Sequence, residues 1–353
     1  MKKALIAMSG GVDSSVAAYL MKEQGYDLTG VTMKLFGNED IGSNGKCCSL
    51  DDAEDARQVA ARLDIPFYVF NFSDEFKNQV IRRFVEGYQD GLTPNPCIDC
   101  NRYLKFEKLL QRAKQMGIDY VVTGHYARID YDKGKSRYLL KKAACDAKDQ
   151  SYALYSMTQE QLGHTLFPLG ELTKSEVRGI AAKQGFINAD KGDSQDICFV
   201  RDKDYAGFIE EYSNKKCDEG NFVDVNGNII GRHRGLIRYT IGQRKGLGIA
   251  FGKPMYVRSK NKRDNSVTLC GNEDLFTKSL HAADFNWIAC DKVISPLRLK
   301  AKIRYNQPEQ WAVVNGVANK AVIEFDEPQR AVAKGQAVVL YDGDIVVGGG
   351  TIV

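Results

Sequence analysis

What the chain lacks narrows it first. No apolar run approaches the roughly 18 residues that a membrane span needs, and the start, Met-Lys-Lys and six further residues before Gly10, is too short for a secretory leader. The expectation is a cytoplasmic protein that does not enter a membrane. There is no Gly-x-x-x-x-Gly-Lys-Ser/Thr loop and no Gly-x-Gly-x-x-Gly, which removes the two commonest nucleotide-binding loops. The single Cys97-x-x-Cys100 pair has no second Cys-x-x-Cys or His-x-x-x-His to complete a zinc tetrad. Nine cysteines without a leader do not read as a disulfide framework. Cys47, Cys48, Cys145, Cys217, Cys270 and Cys290 read as structural.

What is present divides into two textures. At 353 residues the chain exceeds one typical core. Up to about residue 200 short apolar runs (Lys3–Met8, Leu28–Leu35, Pro66–Phe72, Tyr120–Gly124) alternate with helical patterns (Ser14–Gln24, Leu50–Leu63, Asp74–Tyr88, Tyr103–Met116). That βαβα order predicts an α/β fold with a mostly parallel sheet and its working loops at the carboxyl ends of the strands. Beyond Tyr212 β-branched and aromatic runs take over, punctuated by Asn226-Gly227 and Asp342-Gly343. Strands are expected near Leu297–Tyr305, Lys320–Phe325, Ala337–Tyr341 and Asp344–Gly349. The reading is three domains: 1–212, then a β-rich unit 213–275, then a β-barrel 276–353. Net charge is only +4, yet residues 220–310 hold sixteen Lys/Arg against seven Asp/Glu. Excess of one sign in one stretch suits a polyanion partner, although Arg232, Arg234 and Arg238 also suit a solvated face.

Ser9-Gly-Gly-Val-Asp-Ser-Ser15 follows the first apolar run and opens a helical pattern. Glycines admit a phosphate close to the backbone, successive N–H groups point at it, and the hydroxyls of Ser9, Ser14 and Ser15 add donors. The loop resembles the PP-loop of ATP pyrophosphatases, which implies cleavage between the α- and β-phosphates of ATP.

In Thr93-Pro-Asn-Pro-Cys-Ile-Asp-Cys-Asn101 two prolines stiffen a loop and fix how Cys97 and Cys100 are presented. From spacing alone the pair is a redox dithiol, half of a zinc site, or, with Cys198, three ligands of an iron–sulfur cluster. Cys198 stands close to Asp193 and Asp196, so charge does not obviously activate it.

Seven segments in order carry a resemblance over nearly the whole chain. They are Ala7 to Ser15, Pro94-Asn-Pro-x-x-x-Cys-Asn101, Thr123-Gly-His-Tyr-Ala127, Lys148-Asp-Gln-Ser151, Phe167-Pro-Leu-Gly170, Asp193-Ser-Gln-Asp-Ile-Cys-Phe199 and Tyr239-Thr-Ile-Gly-Gln-Arg-Lys-Gly246. The chain thereby resembles the tRNA-specific 2-thiouridylases. The resemblance implies a Rossmann-like, adenine nucleotide alpha hydrolase-like first domain. It implies ATP on Ala7, Met8, Ser9, Gly10, Gly11, Val12, Asp13 and Ser14, with Met33 and Gly124 flanking the adenosine and Mg2+ on the pyrophosphate. It implies adenylation of the C2 oxygen of the wobble uridine of a tRNA, then sulfur transfer from a Cys198 persulfide with Cys100 as nucleophile or acid–base. The sulfur would come from a persulfide-carrying relay protein or a cysteine desulfurase. Contacts to tRNA fall on Asn95, Pro96, Cys97, His125, Lys148, Asp149, Gln150, Arg304, Tyr305 and Gln336. His125 also suits a strand end, and Lys148 to Ser151 an ordinary helix start. Many members have aspartate where this chain has Cys97. That change adds a third thiol and opens a [4Fe–4S] alternative on Cys97, Cys100 and Cys198.

Overall fold

Ala4, Leu5 and Ile6 are wholly buried, as a strand covered on both faces by helices must be. They lie in β1 (Lys3–Ala7), the centre of a parallel sheet that also holds β2 (Asp27–Lys34), β3 (Phe67–Asn71) and β4 (Tyr120–Val122). A computed structural model describes residues 1–36, 50–192, 196–249, 252–291 and 296–353. Cys47, Cys48 and Asp193 to Gln195 lie outside the described residues. Helices α1 (Val12–Glu23) and α2 (Leu50–Arg62) follow β1 and β2. Two longer helical segments, 73–89 and 96–115, each contain a π-wound stretch, Lys77–Ile81 and Cys100–Lys108. The second begins at Pro96, seven residues before the pattern read from sequence. Asn95 caps it and Pro96 sits in its first turn, where a missing N–H costs nothing. The stretch expected to be a stiff loop is thus helical from Pro96 onward.

After β4 the chain makes a hairpin of β5 (Ala127–Asp132) and β6 (Arg137–Lys142). A two-residue strand, β7 (Thr165–Leu166), then completes the parallel sheet in the order β3-β2-β1-β4-β7. Helices Lys174–Lys183 and Tyr205–Ser213 follow. A smaller sheet of β8 (Gly220–Val223), β9 (Ile229–His233), β10 (Tyr256–Asn261) and β11 (Ser266–Cys270) comes next, in the order β10-β11-β8-β9. The β8–β9 turn runs through Gly227 at φ +87°, the left-handed region glycine favours.

The last six strands are β12 (Phe276–Trp287), β13 (Leu297–Lys302), β14 (Gln310–Val317), β15 (Lys320–Arg330), β16 (Ala337–Asp342) and β17 (Ile345–Ile352). They close into a barrel because β12 pairs with β15 on one side and β17 on the other. Alternation along the strands then gives two apolar faces. Leu299, Ala301, Ala312, Val314, Val338 and Leu340 fill the interior. Ala337, Val339, Tyr341 and Val346 face outward onto Tyr152, Leu154, Tyr155 and Met157 of the first domain. Hairpin strand β6 joins the barrel sheet through Lys141 opposite Ile345. Sequence reading missed β5, β6, β7, β12 and β14. In β12 the register shifts between Thr277 and Ser279 and again between Ala283 and Asn286, which breaks the alternation that marks a strand.

Candidate active site

The loop after β1 is held by its own chain. Gly10 has φ +75°, and a Cβ there would lie 2.3 Å from the backbone oxygen of Asp52, so no other residue fits. Gly11 is the N-cap of α1 and offers no side-chain acceptor to the first-turn N–H groups, which suits an anion. The Asn188 amide donates to the Gly10 carbonyl (3.0 Å) and to Ser15 Oγ (2.9 Å). Here the geometry departs from the expected three phosphate donors. Ser14 and Ser15 are buried and donate to the Gly11 carbonyl at 3.0 and 3.2 Å. Ser9 is the exposed hydroxyl of the three, and its N–H donates to Ser14 Oγ at 3.2 Å.

Asp13, in the first turn of α1, accepts from the Tyr126 hydroxyl (2.7 Å) and from Lys174 Nζ (2.7 and 2.8 Å). Gly124 lies against it: a Cβ on Gly124 would come within 2.8 Å of the Asp13 carbonyl carbon and the Ser14 nitrogen. Met33 is half-buried near the end of β2. Sequence reading missed Tyr126, Lys174 and Asn188. Only Tyr126 stood inside a quoted motif; the other two come from segments with no local signal.

Across the carboxyl end of the sheet, Asn95 accepts from the Cys97 N–H at 3.1 Å and so caps the helix that carries both Cys97 and Cys100. Cys97 is exposed, whereas Cys100 and Cys198 are half-buried and pack with Met33, Phe36 and Tyr103 on one cluster. Burial, reinforced by neighbouring Cys97 and Asp99, pushes the Cys100 thiol up, against Lys105. Among the described residues no three His, Cys, Asp or Glu side chains gather in a way that could hold a metal ion. The three thiols as placed do not fit an iron–sulfur cluster. Asp99 lies 3.5 Å from Arg83, and burial raises its carboxyl to about 6.

The remaining candidates surround this helix and tie the domains together. Gln336 donates to the Thr93 carbonyl (2.7 Å), and Tyr305 to the Asp149 carbonyl (3.1 Å). Arg304 reaches the carbonyls of Ile241 and Ala331. Asp149 is buried and accepts from Ala143 N (3.0 Å) and from Ser151 N (3.1 Å). Gln150 accepts from Tyr126 N at 2.9 Å. Lys148 stands half-buried beside them. His125 shares a hydrogen with Thr123 Oγ1 at 2.7 Å, and burial holds its ring neutral. Arg238 is paired with Glu210 at 2.7 Å, so it belongs to the packing rather than to an open face.

A ridge that no motif announced leaves this cluster along β13. Lys302 lies over the rings of Tyr305 (5.8 Å) and Tyr152 (6.0 Å). Lys300 and Arg298 each lie 5.4 Å from the centre of the Trp311 ring, which is 48% exposed.

Three family models match in succession: a tRNA methyl transferase HUP domain over residues 2–202, a tRNA methyl transferase PRC-barrel domain over 206–271 and an aminomethyltransferase beta-barrel domain over 277–352. The tRNA-specific 2-thiouridylase MnmA of Clostridioides difficile is 56% identical across 99% of this chain and 98% of its own. That of Lachnoclostridium phytofermentans is 55% identical across the full length of both. Among solved structures, a 4-thiouridine synthetase–RNA complex with bound ATP aligns over 60% of this chain and 50% of its own. It does so at 16% identity and TM-score 0.36.

Proposed function

The chain belongs to the tRNA-specific 2-thiouridylase family, and from that premise we propose the reaction its residues perform: ATP-dependent replacement of the C2 oxygen of a tRNA wobble uridine by sulfur. The observation that carries the reading is one sheet end bearing both a PP-loop and a thiol pair. The loop of Ser9 to Ser14 would seat the phosphates on the first N–H groups of α1. Asp13 would hold a magnesium ion together with the phosphates, the oxygen set that ion takes. When bound, the ion would neutralise the departing pyrophosphate. Tyr126 and Lys174 hold the Asp13 carboxylate in place, and the Lys174 ammonium, bonded to both its oxygens, would give one of them up to the ion.

The uridine C2 oxygen attacks the α-phosphate and pyrophosphate leaves. A carbonyl oxygen is a poor leaving group; as AMP it becomes a good one. The outer sulfur of a Cys198 persulfide then attacks C2, and AMP departs. Cys100 thiolate attacks the inner sulfur, forming a Cys100–Cys198 disulfide and leaving the other sulfur on C2. The persulfide is loaded by a relay protein or desulfurase.

The base must leave its stack to reach this chemistry, at a cost of a few kcal/mol that is least in a loop. The helix start at Asn95, Pro96 and Cys97 stands where an extruded base would meet the thiols, with His125, Lys148, Asp149, Gln150, Arg304, Tyr305 and Gln336 around it. Neutral His125 can donate or accept but does not pair with phosphate by charge. Asp149, Gln150 and Gln336 are committed to backbone bonds, so they would shape the surface more than grip the RNA. The Lys302, Lys300, Arg298 and Trp311 ridge supplies the alternation of cation and ring that suits a nucleic-acid strand. Among the described residues no helix is long and apolar enough to cross a membrane, which is compatible with work in the cytoplasm.

Undermodified tRNA, ATP and a persulfide donor test the reading. Cys198→Ser and Cys100→Ser should each form no 2-thiouridine while the first still releases pyrophosphate and accumulates adenylated tRNA. Full turnover by both variants would assign the loop to another PP-loop reaction that uses no thiol.

A further inference from the structure

The reaction leaves an oxidised thiol pair in a half-buried place. Cys100 and Cys198 both pack on the cluster that includes Tyr103, Ile197 and Phe199, and each is only partly accessible. A reductant must reach one of their sulfurs before the next turnover. Cys97 is the exposed thiol of the three and stands three residues before Cys100 on one continuous helical segment. Positions i and i+3 share a helix face and bring the two Cβ atoms to roughly 5–6 Å. A small backbone adjustment therefore closes a disulfide. The turn is fixed at its start by the Asn95 cap and by Pro96, so Cys97 does not have to be brought in from a distance.

We propose that Cys97 is the resolving thiol of this enzyme: it takes the disulfide from Cys198 and presents it at the surface as Cys97–Cys100. This rests on the persulfide reading above. The Cys97 thiolate attacks Cys100 Sγ, the Cys100–Cys198 bond breaks, and its electron pair leaves on Cys198 Sγ. One disulfide replaces another, with no net oxidation. Cys198 is then ready for a new persulfide. An external dithiol reductant attacks the exposed Cys97 sulfur, supplies two electrons and two protons, and restores both thiols. The elevated Cys100 thiol accords with this division: the group that reacts inside is shielded, and the group that meets solvent reagents is Cys97.

The test uses the full chain with persulfide donor, tRNA and ATP, stopped with an alkylating reagent and mapped by peptide mass spectrometry. Wild-type enzyme starved of reductant should accumulate Cys97–Cys100, and Cys97→Ser should accumulate Cys100–Cys198. With a dithiol reductant, Cys97→Ser should stop after its first turnover while wild type continues, and a small phosphine should restart it. A lost base contact would instead slow the first and later turnovers alike. Accumulation of Cys100–Cys198 in wild type, or continued turnover by Cys97→Ser with the dithiol, overturns the proposal and leaves the persulfide reading intact. Absence of any disulfide together with full thiolation by Cys100→Ser overturns both.

Discussion

The ATP loop and the thiol helix face each other across one sheet end, yet they are held by different means. Around the loop, Tyr126 and Lys174 bond Asp13, Asn188 bonds the Gly10 carbonyl and Ser15, and the Asp52 backbone closes on Gly10, each from a separate segment. Around the thiols the Asn95 cap is local, and Asn101 adds a bond to the Ala153 carbonyl at 3.1 Å. The difference matches the chemistry. Phosphate cleavage needs donors fixed before the substrate arrives. Sulfur transfer needs one thiol to meet a donor, a base and a second thiol in turn.

On that contrast the loop should fail abruptly and the thiol helix gradually. The largest effect belongs to Gly10→Ala. It places a Cβ at φ +75° and 2.3 Å from the Asp52 oxygen, so the loop or α2 must shift. A misplacement of about 1 Å can cost ~100-fold in rate, and AMP formation should fall at least that far. The Cys97–Cys100 pair should still close when titrated with a mild thiol oxidant. A variant that keeps AMP formation would show the loop to be as tolerant as the helix.

On the thiol side the contrast can be sharpened with pH. Asp99 is raised to about 6, first by burial, then against the pull of Arg83 and Arg102 and with Asp284 adding to the rise. A carboxyl whose folded value exceeds its unfolded one favours the folded state below the unfolded value. That advantage is lost as pH climbs through the folded value. The window here is roughly pH 4 to 6, and the shift of about two units sets a ceiling near 3 kcal/mol. Asp99→Asn should therefore raise the melting temperature above pH 6, and the gain should shrink to nothing below pH 4. A constant gain at every pH would place the effect outside Asp99 ionisation.

The same contrast explains what the sequence made legible. The loop of Ser9 to Ser15 and the parallel sheet could be read because buried strands, glycine turns and helix starts are local patterns. Cys97, Cys100 and Cys198 could be named from spacing and resemblance. Lys174 and Asn188 could not, since each acts on a loop more than 150 residues away and neither lies in a repeating pattern. Strand β12 was lost because its two register shifts interrupt the alternation. The β13 ridge was seen only as excess charge, since Trp311 comes beside Lys300 through strand pairing.

The smallest effect concerns the cap itself. Asn95→Ala removes the acceptor for the Cys97 N–H, a loss of about 1 kcal/mol typical of an N-cap. Pro96 still presets the first turn, so the helix should persist and the protein should fold. What should change is how well Cys97 is aimed: its first turn frays more often, and each excursion separates it from Cys100. The variant should lose a few degrees of melting temperature and close the Cys97–Cys100 disulfide more slowly at a fixed oxidant concentration. A disulfide rate unchanged despite the lower melting temperature would mean that something other than the cap fixes the thiols. The sulfur side would then be as thoroughly braced as the ATP loop.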